Sequence, residues 1–404
     1  MAGGLFLFVV LAGALLALNA TRPSTGPYSL VPSWFIAFLT TDLAFHHIGL
    51  QLIVAAGFVW AGALETLPGK LALGVVLVSS AWMVILWLPN LRAANATGAV
   101  ADQFDLDVVE PIPRGLLWVP LRRLRRGVAV ARNVEFSRAA GRILTMDVYR
   151  CLSGGERRPA LIYLHGGGWV MGDKCNQGLP LCNHLAKLGW VCANTNYRLS
   201  PGATWPDHLI DAKAAIAFLR EHADEWNVDP NFIAIAGGSA GGHIAAMAAL
   251  QRGGRDLQPG FEGSDTSVQA AVMFYAVLDT TNRLGVHNPE FLTKLVGRHV
   301  LKAFPDTEAE RFREASPRTH VDKASQPWLI LQGDADTLTP AAEARDFADA
   351  LSDASEYPVV YAELPGAQHA FDIYYSPRAI AAVELTARFL ATTYRKHDSD
   401  HPAH

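Results

Sequence analysis

The sequence predicts an α/β protein: a mostly parallel eight-stranded sheet with helices on both faces and a lid, preceded by an all-α transmembrane region. Three observations predict it. From about residue 133, short apolar runs alternate with helical stretches, the pattern of a parallel sheet covered on both sides. Two of those runs end in glycine clusters, HGGG at 165–168 and GGSAGG at 237–242. Finally, 18% of the 404 residues are charged, yet residues 1–91 contain only Arg22, Asp42, Glu65 and Lys70. The remainder approaches the roughly 25% expected of a soluble domain.

The apolar front divides into segments. Residues 2–18, 45–64 and 71–88 are each about long enough to cross a bilayer as a helix. The first could also be the core of a cleaved leader. No basic residue precedes it, however, and more apolar spans follow, so three spans are expected, or two if the first is removed. Residues 31–41 are too short to span and are expected at the membrane interface. Tryptophans 34, 60, 82 and 87 suit the headgroup region. Asp42 and His46 have helical i,i+4 spacing, and His47 adjoins them. An ionisable group at membrane depth is a functional candidate, but all three are expected at the interface because the second span starts near Phe45.

Residues 92–132 carry a net charge of +3, against −7 for 133–404. Arg114, Arg122, Arg123, Arg125, Arg126 and Arg132 follow one another without an acidic residue from 111 to 132. The stretch IPRGLLWVPLRRLRR (112–126) is expected as a basic linker lying on the membrane surface, or else as helices packed on the globular domain. Basic residues favour the cytoplasmic side, so three spans put the N-terminus outside and the globular domain in the cytoplasm, at a plasma (inner) membrane. The acidic globular part argues against nucleic acid as its partner. The four cysteines show neither CxxC nor zinc spacing.

The globular domain, expected over 133–397 with a tail at 398–404, opens with an antiparallel pair, 133–137 and 143–151. Strands follow at 160–168 and 190–198, residues 232–242 read as a strand, a tight turn and the start of a helix, and further strands lie at 270–277, 328–333 and 359–364, with helices near 176–189, 206–223 and 377–394. Residues 278–325 are long for a connector and are expected to form a lid. His287, Trp328 and Trp169 are candidates to line the pocket beneath it.

Gly-x-Ser-x-Gly between a strand and a helix forms a tight elbow that presents Ser239 above the sheet, where the helix dipole favours a developing anion. HGGG, 74 residues earlier, supplies backbone N–H groups suited to an oxyanion, completed by Ala240 after the serine. A serine nucleophile needs a base and an orienting acid. His369, after the last strand, and Asp336, after the strand 328–333, stand in the Ser, Asp, His order. Asp334 is a rival acid and His243 a rival base.

HGGGW, NYRLSP (196–201), GGSAGG, GDADTL and a later HAF resemble the α/β-hydrolase fold. The likeness is closer to the hormone-sensitive-lipase-like carboxylesterases, the group that includes arylacetamide deacetylase and many bacterial esterases. It covers roughly 130–395 and is similar to membrane-attached actinobacterial members. The resemblance implies Gly166, Gly167 and Ala240 as oxyanion donors, Asp336 as the triad acid, and His165 and Trp169 near the substrate. It also implies ester hydrolysis of an acyl-ester or lipid substrate without a metal or organic cofactor, with deacetylase or amidase activity as the alternative. One departure stands out: the family often has Asp or Glu before the nucleophile, where this chain has Gly238. GGSAGGH also resembles feruloyl-esterase-like and formamidase-like relatives. The anchor and the Arg-rich segment are expected to hold the pocket mouth against the bilayer, so deleting residues 1–105 is expected to spare activity on short soluble esters while reducing it on bilayer-embedded ones.

Overall fold

The computed structural model describes residues 1–26, 28–122, 126–152, 157–251, 255–324 and 326–400. Arg123 and Arg125 of the basic cluster, and residues 401–404 of the expected tail, lie outside the described residues.

Eight strands form one sheet: β1 (Val128–Ala139), β2 (Arg142–Cys151), β3 (Arg158–Leu164), β4 (Val191–Thr195), β5 (Val228–Gly238), β6 (Ala270–Phe274), β7 (Trp328–Gly333) and β8 (Val359–Leu364). Their order is β1-β2-β4-β3-β5-β6-β7-β8, and β2 alone runs opposite to the other seven. The strand β1 begins at Val128, inside the segment expected as linker. Strands β3, β5 and β7 are buried on both faces, which is why they read as continuous apolar runs rather than as alternation.

One face of the sheet is covered by α7 (Asp207–Glu221), α9 (Ala240–Leu250) and α11 (Ala341–Ala354), through Leu209, Ile216, Ile244, Met247, Phe347 and Leu351. The other is covered by α6 (Leu179–Lys187) and α12 (Pro377–Asp400), through Leu181, Leu185, Ile380, Val383 and Leu390. The helix α12 absorbs the start of the expected tail. Residues 278–325 contain a π-helix, Phe291–Leu301, and α10 (Ala309–Glu314).

The front forms α1 (Ala2–Thr21), α2 (Leu30–Asp42), α3 (Ala44–Trp60), α4 (Leu67–Trp87) and α5 (Asn90–Gln103). Among the described residues, α1 and the 37-residue run of α4 and α5 are long and apolar enough to cross a membrane; α2 and α3, bent by 86°, could make a third span. Helices α1 and α4 run parallel. Gly3 approaches Thr66 at one end, and Trp82 Nε1 donates to Thr21 Oγ1 at 2.7 Å at the other. Helix α3 returns between them: its Gln51 Oε1 accepts from Ser79 Oγ at 3.2 Å, and Phe58 stacks on Phe6 at 5.0 Å. Leu5, Phe8, Leu15, Ile53 and Val78 point outward, the reverse of a soluble bundle.

Two expectations about the front need correction. Asp42 ends α2 while His46 lies in α3 beyond the bend, so they share no helix face. Asp42 is also not exposed at an interface. Its Oδ1 pairs with Arg378 Nη1 at 3.0 Å, and both side chains are at most 1% exposed.

Residues 92–132 divide between the two readings offered for them. In α5, Ala93 and Ala101 join the core on the α12 side, as do Leu106, Ile112 and Leu116. Arg114 pairs with Glu384 of α12 at 3.3 Å. Trp118, Val119 and Leu121 remain exposed. Removing residues 1–105 would therefore strip apolar core and uncover Arg378, so the front is not a detachable tether.

Candidate active site

Four loops meet at the C-terminal ends of the parallel strands, the crevice where open α/β sheets hold their ligands. Ser239 sits between β5 and α9 with φ 55° and ψ −123°, a conformation held by its surroundings rather than preferred by serine. Its N–H donates to Phe274 O at 2.9 Å, and its carbonyl accepts from His243 N at 3.0 Å.

After β7, Asp336 Oδ1 accepts the N–H groups of Leu338 (2.8 Å) and Thr339 (2.9 Å). Its Oδ2 faces His369 Nδ1 at 2.8 Å and accepts from Gln332 Nε2 at 3.2 Å. Thr339 Oγ1 lies 2.9 Å from that oxygen and 3.1 Å from His369 Nδ1. With Asp336 ionised, Nδ1 carries the proton and Nε2 is left as the basic nitrogen. Tyr275 links this pair to the elbow. Its ring packs on His369 at 4.6 Å, and its hydroxyl would lie 2.8 Å from a Cβ on Gly238.

The loop after β3 lies against the serine: a Cβ on Gly166 would come within 3.0 Å of Ser239 Cβ. Gly167 has φ 126°, and a Cβ there would meet Met171 O at 2.0 Å, so only glycine fits. The Gly166 N–H is committed to Gln177 Oε1 at 2.6 Å. Among the described residues, the N–H groups of Gly167, Gly168 and Ala240 donate to no protein acceptor.

The family described as BD-FAE matches residues 146–351. The chain belongs to it. It is a carboxylesterase of the α/β-hydrolase fold, in the hormone-sensitive-lipase-like group. The probable carboxylic ester hydrolase LipM of Mycobacterium tuberculosis is 37% identical over 97% of this chain and 93% of its own length, a match that includes the apolar front. Esterase LipQ of the same organism is 40% identical over 67% of this chain and 64% of its own. Among solved structures, the propionate-bound esterase Est2 of Thermogutta terrifontis is 28% identical with a TM-score of 0.55, covering 66% of this chain and 94% of that one.

In this esterase the rival residues have other partners. Asp334 Oδ1 accepts Gly366 N–H at 2.6 Å and so closes the turn before His369. His243 is pushed down to about 4 by burial. Trp169 Nε1–H donates to its Nδ1 at 3.3 Å, so its Nε2–H donates to Ala315 O at 2.6 Å, and neither nitrogen is available as a base.

The residues expected near substrate are buried in the fold. Trp169, 1% exposed, turns inward onto His243 because its indole N–H finds an acceptor there. His165 stacks on Tyr197 at 4.5 Å and braces the glycine loop through Gly166 O. Trp328 starts β7, at the opposite end from Asp336, and packs on Phe347. His287 forms an ion pair with Glu343; burial opposes its charge, but that carboxylate holds it above its ordinary value. The segment carrying it reaches the glycine loop through Leu295, whose Cδ2 would lie 3.2 Å from a Cβ on Gly168.

Packing explains the glycine at 238, directly before Ser239. A Cβ there would press on Tyr275 Oη, Cε2 and Cζ, all within 3.0 Å. Tyr275 Oη–H in turn donates to the buried Asp372, which also accepts from Tyr163 Oη at 3.2 Å. Burial raises the Asp372 carboxyl despite those bonds and drives the Tyr275 hydroxyl well up. A buried carboxyl thus stands behind the elbow, contributed by Asp372 and held by the Tyr275 and Tyr163 hydroxyls. Gly238→Asp is expected to overpack this space and cost about 1–3 kcal/mol. A lowered thermal midpoint with reduced esterase activity would show it.

Proposed function

We propose that the chain is a membrane-anchored serine carboxylesterase or lipase that hydrolyses acyl esters through an acyl-enzyme on Ser239. The observation that carries this is the buried Asp336–His369 hydrogen bond, set behind the strained Ser239 elbow. His369 Nε2 takes the serine proton as Oγ attacks the ester carbonyl, and the imidazolium formed is stabilised by Asp336. The proton then passes to the leaving alkoxide. Water repeats the sequence to release the acid. Gly167 and Ala240 hold the oxyanion, and Gly166 joins them only when Gln177 swings away; each donor is worth about 3–4 kcal/mol in the transition state.

Helix α1, the bent α2–α3 pair and the α4–α5 run support the anchor, and the arginines after α4 favour the cytoplasmic side of a plasma membrane for the catalytic domain. Exposed Trp118, Val119 and Leu121 extend the apolar surface beside them. Thr25 O, in the loop before α2, accepts from Asn288 Nδ2 of the segment 278–325 at 3.5 Å, which supports a substrate entrance on the side of the spans. Esters dissolved in the bilayer are the substrate class this arrangement suits.

Ser239→Ala in lipid nanodiscs should lose ester hydrolysis while keeping its thermal midpoint. A matched amide substrate should turn over far more slowly than the ester in the wild type. Unchanged hydrolysis by Ser239→Ala, or faster amide cleavage, would contradict the proposal.

A further inference from the structure

We propose that Trp34, on the front helix α2, is a positioning residue for the base His369, so that the anchor completes the catalytic apparatus rather than merely tethering it. The inference rests on the triad proposed above. Trp34 Nε1–H donates to the His369 carbonyl at 3.0 Å, across 335 positions of chain. Its ring meets the imidazole edge-on at 5.7 Å between centroids, 80° between planes. The same face of α2 holds the following residues as well. Phe38 stacks on Tyr374 at 5.7 Å, and Asp42 pairs with Arg378. Residues 34, 38 and 42 are one helical turn apart, so α2 grips the stretch 369–378 at three successive points.

That stretch needs a grip. Between β8 and α12 it has no ladder of its own, and Ala370, directly after His369, sits at φ 69°, where a residue with a side chain is strained. Asp336 and Thr339 fix the Nδ1 edge of the imidazole, and Tyr275 packs against the ring. Trp34 supplies both the remaining ring contact and the bond to the backbone of the same residue. A base displaced by about 1 Å can lose on the order of 100-fold in rate. A helix docked from the membrane side therefore controls whether Nε2 meets the serine.

The test uses the full chain in lipid nanodiscs, with a fluorophosphonate as the serine probe and a short, soluble p-nitrophenyl ester as substrate. Trp34→Ala should slow labelling and kcat about 10–100-fold. Trp34→Phe, which loses the N–H bond but keeps an aromatic ring, should lose about fivefold, the worth of one ordinary hydrogen bond. KM should stay within twofold in both, because no acyl contact is removed. Wild-type labelling by both variants would overturn the proposal, as would a change confined to KM, which would make Trp34 a wall of the acyl pocket. If Trp34→Ala does not fold, Trp34→Phe decides alone: graded loss supports the proposal and wild-type labelling overturns it. Failure of the triad itself would look different, since wild type and Ser239→Ala would then label alike.

Discussion

Asp336→Asn is expected to lower kcat for ester hydrolysis by about 10³–10⁴-fold with little change in thermal midpoint, because it inverts the imidazole tautomer. The geometry dictates which way the new amide faces. Asp336 Oδ1 accepts two backbone N–H groups, from Leu338 and Thr339, and only an oxygen can stay there. The amide nitrogen must then take the Oδ2 position, 2.8 Å from His369 Nδ1. It would donate to Nδ1, leaving the proton on Nε2, where it cannot accept from Ser239. Gln332 Nε2 would face the same nitrogen as a second donor, 3.2 Å away, adding a local repulsion. Steady-state kinetics on a soluble p-nitrophenyl ester, together with a melting curve, checks this. A loss below tenfold would mean that Asp336 does not orient the base.

The second large effect lies far from the chemistry in sequence, at the join between the front and the catalytic domain. Asp42→Ala should destabilise the protein by about 3–5 kcal/mol, the usual consequence of leaving one member of a buried ion pair without its partner. Arg378 is 0% exposed and its Nε–H is spent on Pro365 O at 3.0 Å, so removing the carboxylate leaves a buried guanidinium without its counter-charge. Asp42→Leu combined with Arg378→Met should recover most of the loss, since apolar groups of similar volume need no counter-charge. Thermal unfolding of the two variants in nanodiscs measures both values. Equal midpoints for wild type and Asp42→Ala would show that α2 is not docked as described.

The catalytic sheet was largely legible in the sequence, because its strands are bounded by glycine turns and its chemistry is local. HGGG, the Ser239 elbow and GDAD each lie within a few residues of a strand end. What could not be read there depends on contacts across the chain. Gly166 looks like an oxyanion donor until Gln177, eleven residues on, is seen to occupy its N–H. Trp169 looks like a pocket wall until His243 offers its indole an acceptor. The absence of an acid at 238 looked like a departure from the family, and only packing shows Tyr275 and Asp372 filling that space. The stripe Trp34, Phe38, Asp42 was visible as four-residue spacing, but the apolar surroundings masked it, since a membrane-facing helix has the same composition. Its partners lie more than 300 residues away, and no local pattern announces them.

The proposed chemistry depends first on the identity of the nucleophile. Intact-protein mass spectrometry of the full chain after fluorophosphonate treatment, followed by peptide mapping, measures it. One adduct on Ser239, absent from Ser239→Ala, is the predicted result. An adduct on another residue, or an unlabelled folded wild type, would contradict the account.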